Sequence, residues 1–491
     1  MKNSYKALIL FVLAAFSFQS CEDMDDTLGV PNELEIDNFI WKGLNLYYLW
    51  QADVPDLADD RFANQGELNT FLSATSGPEA LFQSLLYKPV SQFPVPQAVD
   101  RFSVLVDDYT YLENLFQGVT TNNGVEYGLR RKESNPSEIY GWVKYIIPGS
   151  DAANKNIKRG DIFYAVNGTP LDAINYPDLL AAQNYTLNLA DYNEGAITPN
   201  GQTVSLTKTQ LTENPVLMAD VIETGEHKVA YLMYNGFTAN FDEQLNNAFG
   251  TFLAEGATEL VLDLRYNGGG SVQTATYLAS MITGQFNGQL FAKQQWNSKV
   301  QAYYEENNPE RLVNNFTNSI GNTTINSLNL SKVYILTTTG TASASELVIN
   351  GLKPYINVVQ IGDVTIGKNV GSITLYDSPD FSRNDRNRTH KYAMQPLVIK
   401  TINKDGFGEY QDGLQPTVLL KEDLGNLGQL GDSTEPLLST ALGLITGNAR
   451  MMRPNPEKAA RDFKDSKSMR RFATDMYIEV PEGLSDALKR F

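Results

Sequence analysis

Histidine and cysteine are nearly missing from this sequence: its 491 residues include two histidines and one cysteine. A single thiol excludes an intramolecular disulfide, a thiolate metal cluster and dithiol redox chemistry. The histidines, His227 in "TGEHKVAY" and His390 in "NDRNRTHKY", sit in polar, surface-like settings. They offer little to a nucleophile that needs an imidazole base. Basic charge is short as well, with 39 Lys and Arg against 57 Asp and Glu and a net charge of −18. That balance excludes the basic face a nucleic-acid partner requires. What is present is ordinary for a globular protein, with 42% hydrophobic and 20% charged residues. The length suits about two to four domains. No residue pattern implies a metal or an organic cofactor, and nothing speaks to oligomeric state.

The lone cysteine has a reason for its position. A basic start, "MKNSYK", leads into the 12-residue apolar run "ALILFVLAAFSF" and then "QSC". The run is shorter than the roughly 20 residues of a membrane-spanning helix and has the shape of a secretory signal. Cys21 after Ser20 resembles the lipobox of bacterial lipoproteins, with Phe18 in place of the usual leucine. The resemblance implies a signal peptide over 1–20 and lipidation of Cys21. The acidic tether that follows, 21–32, begins with "EDMDD", which resembles the surface-export tag of lipoproteins in the Bacteroidetes group. The expected location is the outer membrane, held by lipid and facing the periplasm or the cell surface.

From Glu33 to Trp50, apolar residues fall at Ile36, Phe39, Ile40, Leu44, Tyr47 and Tyr48, the spacing of an amphipathic helix. A small helical domain is expected over 33–101, closed by the breaker "KPVSQFPVPQ". Over 102–213 the pattern turns β-like. Gly149-Ser150 with Ala153, Arg159-Gly160-Asp161-Ile162 and the hairpin signal Val166-Asn167-Gly168 together resemble a PDZ domain. Such a domain adds a peptide strand to a sheet edge and holds the peptide's carboxylate on backbone N–H groups. The segment "VEYGLRR" would supply the carboxylate loop and strand, with Gly128 and Leu129 as the peptide-binding residues.

Strands and helices alternate over 214–446, which predicts an α/β domain. The 447–491 segment is charged, "RPNPEKAARDFKDSKSMRR", and reads as a helical or loose appendage. Within the α/β domain, "ELVLDLR" is a buried strand that feeds "YNGGGS" and a helix. The glycine turn lacks the ending of a P-loop, and Gln273 stands where a dinucleotide fingerprint needs glycine. Its N–H groups can instead hold an oxyanion. A second strand, "KVYILTTT", leads into "GTASASE". Ser343 with Glu346 fits a helix capping box, yet the strand-turn-helix setting also exposes nucleophiles. Lys368, in a glycine turn 25 residues on, lies one strand and return away. At an ordinary pKa near 10.4, about 0.04% of a lysine is neutral at pH 7. Burial or a neighbouring cation raises that fraction, and the neutral amine can take a hydroxyl proton.

"TASASE" followed by "GDVTIGK", with "LVLDLRYNGGG" upstream and the PDZ-like segment before both, resembles the C-terminal processing, or tail-specific, serine proteases over about residues 100–446. The resemblance implies a crotonase-like ββα core joined to a PDZ domain, and endopeptidase activity on unfolded or C-terminally exposed polypeptides. Position by position, it implies Ser343 as nucleophile and Lys368 as general base. Ala344 and the Gly269-Gly270 turn would form the oxyanion hole, with Asp263 and Arg265 supporting that turn. Relatives often continue after the lysine with "GTVQ", whose glutamine orients the amine. Here Ser372 occupies that place. The rival expectation is a non-catalytic lipoprotein that binds peptides or hydrophobic ligands, which predicts loss of the serine or the lysine. Both are kept.

Overall fold

Residues Val229 to Tyr234 are all fully buried, because the strand they form lies inside a sheet covered on both faces. The computed structural model describes residues 29–448, 462–470, 474, 476–479 and 484. The signal peptide, Cys21 and nearly all of the acidic tether lie outside the described residues. Side chains alternate across a strand, and the packing shows it. Ala230, Leu232 and Tyr234 enter one apolar cluster, while Val229, Tyr231 and Met233 enter another.

The central sheet has six strands, in the order Val216–Thr224, His227–Tyr234, Glu259–Asp263, Lys332–Thr337, Asn357–Gly362 and Val418–Leu419. The first pair is antiparallel and the others are parallel. Helices Asp242–Glu255, Val272–Thr283 and Ala344–Leu352 cover one face, and helix Pro436–Ile445 contributes to the other. Parallel strands buried on both sides read as continuous apolar runs, which is how "KVAYLMY" and "ELVLD" appear.

Helices Glu35–Tyr47, Gln65–Leu72 and Pro78–Ser84 form the N-terminal helical domain. The predicted aromatic stripe is its core: Phe39, Tyr47 and Tyr48 are at most 2% exposed. The domain is fused to the rest, since the same cluster takes in Trp296, Val300, Val398 and Ile399. A second sheet of six strands runs Gly270–Ser271, Met476–Tyr477, Val370–Ser372, Leu397–Ile402, Leu290–Gln295 and Val313–Asn315. A β domain is built on Val125–Arg131, Ile139–Ile146, Ile162–Val166, Asn184–Asn193 and Ala196–Thr207. Its predicted hairpin turn is present, with positive φ at both Asn167 and Gly168.

Two expectations fail. The tail beyond Gly447 is not a loose or helical appendage where it is described. Asp462–Asp465 pairs with Val125–Arg131, and Met476–Tyr477 enters the second sheet. Such short strands carry no periodicity of their own, so only their partners reveal them. A helix, Tyr109–Phe116, also interrupts the β-like stretch, started by the Asp108 side chain accepting the Thr110 N–H at 2.9 Å.

Candidate active site

Parallel strands Glu259–Asp263, Lys332–Thr337 and Asn357–Gly362 are neighbours. The loops at their carboxyl ends therefore emerge side by side, the usual place for a site in an α/β sheet. The turn after Lys332–Thr337 is stitched to "RYNGGG". Ala342 N–H and Ser345 Oγ both donate to the Asn267 carbonyl at 3.1 Å, and Thr341 Oγ1 donates to Leu264 O at 2.8 Å.

Ser343 stands at the start of helix Ala344–Leu352 with φ +65° and ψ −116°, a strained conformation for a residue with a side chain. Its N–H donates to Glu346 Oε2 at 2.8 Å, the glutamate half of the predicted capping box. Its own hydroxyl oxygen is buried and has no hydrogen-bond partner among the described residues. A serine that merely caps a helix gives its oxygen to the N–H groups of the first turn. Here the oxygen faces the Glu346 N–H as the serine half of the same box but forms no regular hydrogen bond with it, so the backbone rather than the side chain holds the residue.

Lys368 is brought beside it by the same carboxylate. Its backbone N–H donates to Glu346 Oε2 at 2.8 Å, while Oε1 accepts from Gly367 N–H at 2.7 Å and from the Thr365 hydroxyl. The Ser343 and Lys368 nitrogens thus lie within twice a hydrogen-bond length of each other. Gly367 permits the turn: φ is +85°, and a Cβ there would stand 2.2 Å from the Gln411 carbonyl oxygen. The Lys368 side chain is 1% exposed, with Nζ 4.8 Å from the centre of the Phe102 ring and donating to Thr474 O at 2.5 Å. Glu346 is fully buried. Burial pushes its carboxyl up, against the lowering effect of the Thr365 hydroxyl and the three N–H donors.

The sequence offers Glu346 only as a cap; its double attachment to serine and lysine appears in the fold alone. Replacing it by glutamine leaves one acceptor oxygen and sets an NH2 group against N–H donors. Glu346→Gln is expected to lower kcat on a peptide substrate by about 100-fold through misplacement of the pair. Steady-state hydrolysis, checked against an unchanged circular-dichroism spectrum, tests this. An unaltered kcat would mean that the carboxylate only caps the helix.

Behind the glycine turn, Arg265 is fully buried and spans three carboxylates. Its Nε meets Asp263 at 2.9 and 3.0 Å, its two terminal nitrogens meet Glu435 at 2.7 and 3.0 Å, and one of them reaches Glu422 at 3.2 Å. Arg159 joins from the β domain, bonding Glu422 at 2.7 Å and Tyr266 Oη at 2.6 Å. The expected supporting role of Asp263 and Arg265 fits this network.

Residues 228–386, which include Ser343 and Lys368, match the profile of peptidase family S41, and residues 35–104 match the profile of the Peptidase S41 N-terminal domain. Both matched stretches are thus similar to peptidase family S41. It is 27% identical over 234 residues to the chloroplastic C-terminal processing peptidase of Tetradesmus obliquus, covering 45% of this chain and 46% of that one. It is 25% identical over 304 residues to the carboxyl-terminal-processing protease of a Picosynechococcus species, covering 61% and 65%. The matched region thus spans about half to two thirds of those relatives. Among solved structures, one from Bacteroides fragilis assigned to the S41 proteases superposes with a TM-score of 0.63 at 27% identity, over 83% of this chain and 97% of that one.

Other predicted site residues sit differently. The Gly269 N–H is taken by Asn267 Oδ1 at 2.9 Å, and Gly270 lies in a two-residue strand between Phe237 and Met476. Ala344, the first helical residue, has an N–H with no intrahelical acceptor. Ser372 Oγ donates to Met476 O at 3.3 Å. Gly128 and Leu129 do not open a loop; they are central in strand Val125–Arg131, paired with Ile139–Ile146 on one side and the tail on the other. Gly128 makes room for an indole, since a Cβ there would lie 2.4 Å from Trp142 Nε1. The turn before that strand is Asn122–Gly124, closed by Asn122 Oδ1 accepting the Gly124 N–H at 2.8 Å. Both histidines are engaged elsewhere, His227 with Glu259 at 2.9 Å and His390 with Asp377 at 3.0 Å. His390 is less exposed than its polar surroundings suggest, with a side chain 11% exposed.

Proposed function

We propose that this chain is a serine endopeptidase of the S41 type that cuts unfolded or C-terminally exposed polypeptides with Ser343 as nucleophile and Lys368 as general base. The observation that carries this reading is Glu346 Oε2 accepting both backbone N–H groups, at 2.8 Å each, beside a buried serine hydroxyl that makes no regular hydrogen bond among the described residues. A neutral Lys368 amine takes the Ser343 proton as Oγ attacks the scissile carbonyl carbon. The negative charge moves to the carbonyl oxygen, where the Ala344 and Gly270 N–H groups receive it, the Gly269 N–H being held by Asn267. Collapse breaks the C–N bond, the lysine ammonium protonates the leaving amine, and the acyl group stays on Oγ. Water, deprotonated by the same lysine, then releases the acid.

The β domain, read as a PDZ domain, would engage the substrate's chain end along Val125–Arg131 once Asp462–Asp465 leaves that edge, and Cys21 would carry the lipid anchor. A cavity of about 1250 Å³ lies between this strand and the nucleophile turn, lined by Gly128, Trp142, Gly268 and Gly340 among others. A fluorophosphonate probe on the mature protein, followed by mass spectrometry, should label Ser343. Absence of label would favour a peptide-binding lipoprotein. In competition, a peptide with a free apolar C-terminus should be cut about 10- to 100-fold faster than its amide, the worth of one charge-assisted contact. Equal rates would remove the chain-end reading. Cys21→Ala should leave the membrane fraction, and retention there would remove the anchor.

A further inference from the structure

The C-terminal tail meets nearly every part of the site just described. Asp462–Asp465 runs antiparallel along the free edge of Val125–Arg131. Ser466 exchanges bonds with Tyr127, its N–H to Tyr127 O at 2.9 Å and its Oγ from Tyr127 N–H at 3.0 Å, and Arg470 pairs with the buried carboxylate of Glu126. Lys467 Nζ donates to the carbonyls of Asn235 and Tyr266 at 3.0 Å, at the root of the glycine turn. Thr474 O accepts a hydrogen bond from Lys368 Nζ. Met476–Tyr477 then lies between Gly270–Ser271 and Val370–Ser372, parallel to both. Ile478 N–H donates to Ser372 O at 3.1 Å, and the Tyr477 ring packs on Phe116 with centroids 4.4 Å apart.

These contacts act on the proposed chemistry. The Thr474 carbonyl holds the Lys368 Nζ by a direct hydrogen bond, which competes with any bond from that nitrogen to the serine hydroxyl. Ser343 and Lys368 are 0% and 1% exposed, so no scissile bond reaches them in this arrangement. Without Met476–Tyr477, the second sheet parts into two facing edges, one carrying the glycine turn and the other following directly from Lys368. An extended peptide is the ligand that pairs with two such edges at once. Met476 is fully buried in the apolar core, which defines an apolar subsite, and Phe116 defines an aromatic wall beside it.

We infer that the slot between Gly270–Ser271 and Val370–Ser372 is the binding site for an extended polypeptide strand beside Ser343, and that the chain's own Met476, Tyr477 and Ile478 fill it as a displaceable autoinhibitor. The inference rests on the Ser343/Lys368 reading for its catalytic consequence, but the slot itself is defined by strand pairing alone.

Three preparations test it: the full chain, the chain ended at residue 461, and the full chain with Met476→Asp and Tyr477→Asp. Both altered chains are expected to hydrolyse a fluorogenic peptide at least about tenfold faster than the full chain, as the closed population is lost. Each should also label faster with a fluorophosphonate. A synthetic peptide of residues 462–484 should restore inhibition competitively. Altered chains that keep the native circular-dichroism spectrum but gain no activity and do not respond to the peptide would overturn the proposal. If the shortened chain does not fold, the doubly substituted full chain decides by the same criterion. Binding separates this inference from the functional reading. A fluorescein-labelled tail peptide should bind the shortened Ser343→Ala chain saturably, measured by anisotropy. Binding without hydrolysis in any preparation upholds the slot and sinks the Ser/Lys mechanism. Equal hydrolysis by all three, with no peptide binding, does the reverse.

Discussion

Ser343→Ala and Lys368→Ala are each expected to reduce cleavage of casein by about 10⁴-fold or more, while replacing both histidines leaves most of the activity. A nucleophile and its base act as one unit, so losing either costs nearly as much as losing both. The two residues are held to one carboxylate oxygen, and each histidine is engaged with a carboxylate of its own. Measuring kcat/KM for the four variants on one substrate preparation decides the matter. A His227 or His390 variant as impaired as Ser343→Ala would refute the dyad.

Arg265→Ala should destabilise the protein by about 3–5 kcal/mol, the usual cost of leaving buried carboxylates without their cation. The guanidinium is fully buried and its planar fork meets Asp263 and Glu435 at once, so lysine cannot replace it. The pH dependence has a definite sign. Burial alone would raise the Glu422 carboxyl, but Arg159, Arg265 and Tyr266 outweigh it and bring it to about 2, below its ordinary value of 4.5. A depressed carboxyl stabilises the fold above its unfolded value, and that contribution is lost as pH falls from about 4.5 toward about 2. The gap between parent and Arg265→Ala in urea midpoints should therefore be widest near neutrality and narrow in acid. A gap that widens below pH 4.5 would show that these carboxylates are not held by charge.

Much of the protein could be read from its residues because the relevant signals are local. The parallel strands announce themselves as apolar runs, since both faces are buried. The turn at Asn167-Gly168 needs two residues that tolerate positive φ, and the sequence supplies them. Ser343 and Lys368 were legible for the same reason: each follows a strand directly, and neighbouring parallel strands deliver their loops to one edge. Other features had no local signal. "SASE" describes a capping box whether or not its glutamate also reaches a lysine N–H 22 residues away. The PDZ resemblance implied a loop at Gly128-Leu129, whereas here the glycine lies within a strand and yields space to Trp142.

The sequence by itself determined the two-faced α/β core, the helical N-terminal domain and the identity of the candidate dyad, because strand burial, helix periodicity and turn chemistry are written in adjacent residues. Only the tertiary structure decided that Glu346 joins serine to lysine, that Arg265 spans Asp263, Glu422 and Glu435, and that the tail enters the slot beside the site. Each of these joins groups distant in sequence, and their energies come from desolvated charges and shared strand edges that exist only once the chain has closed on itself.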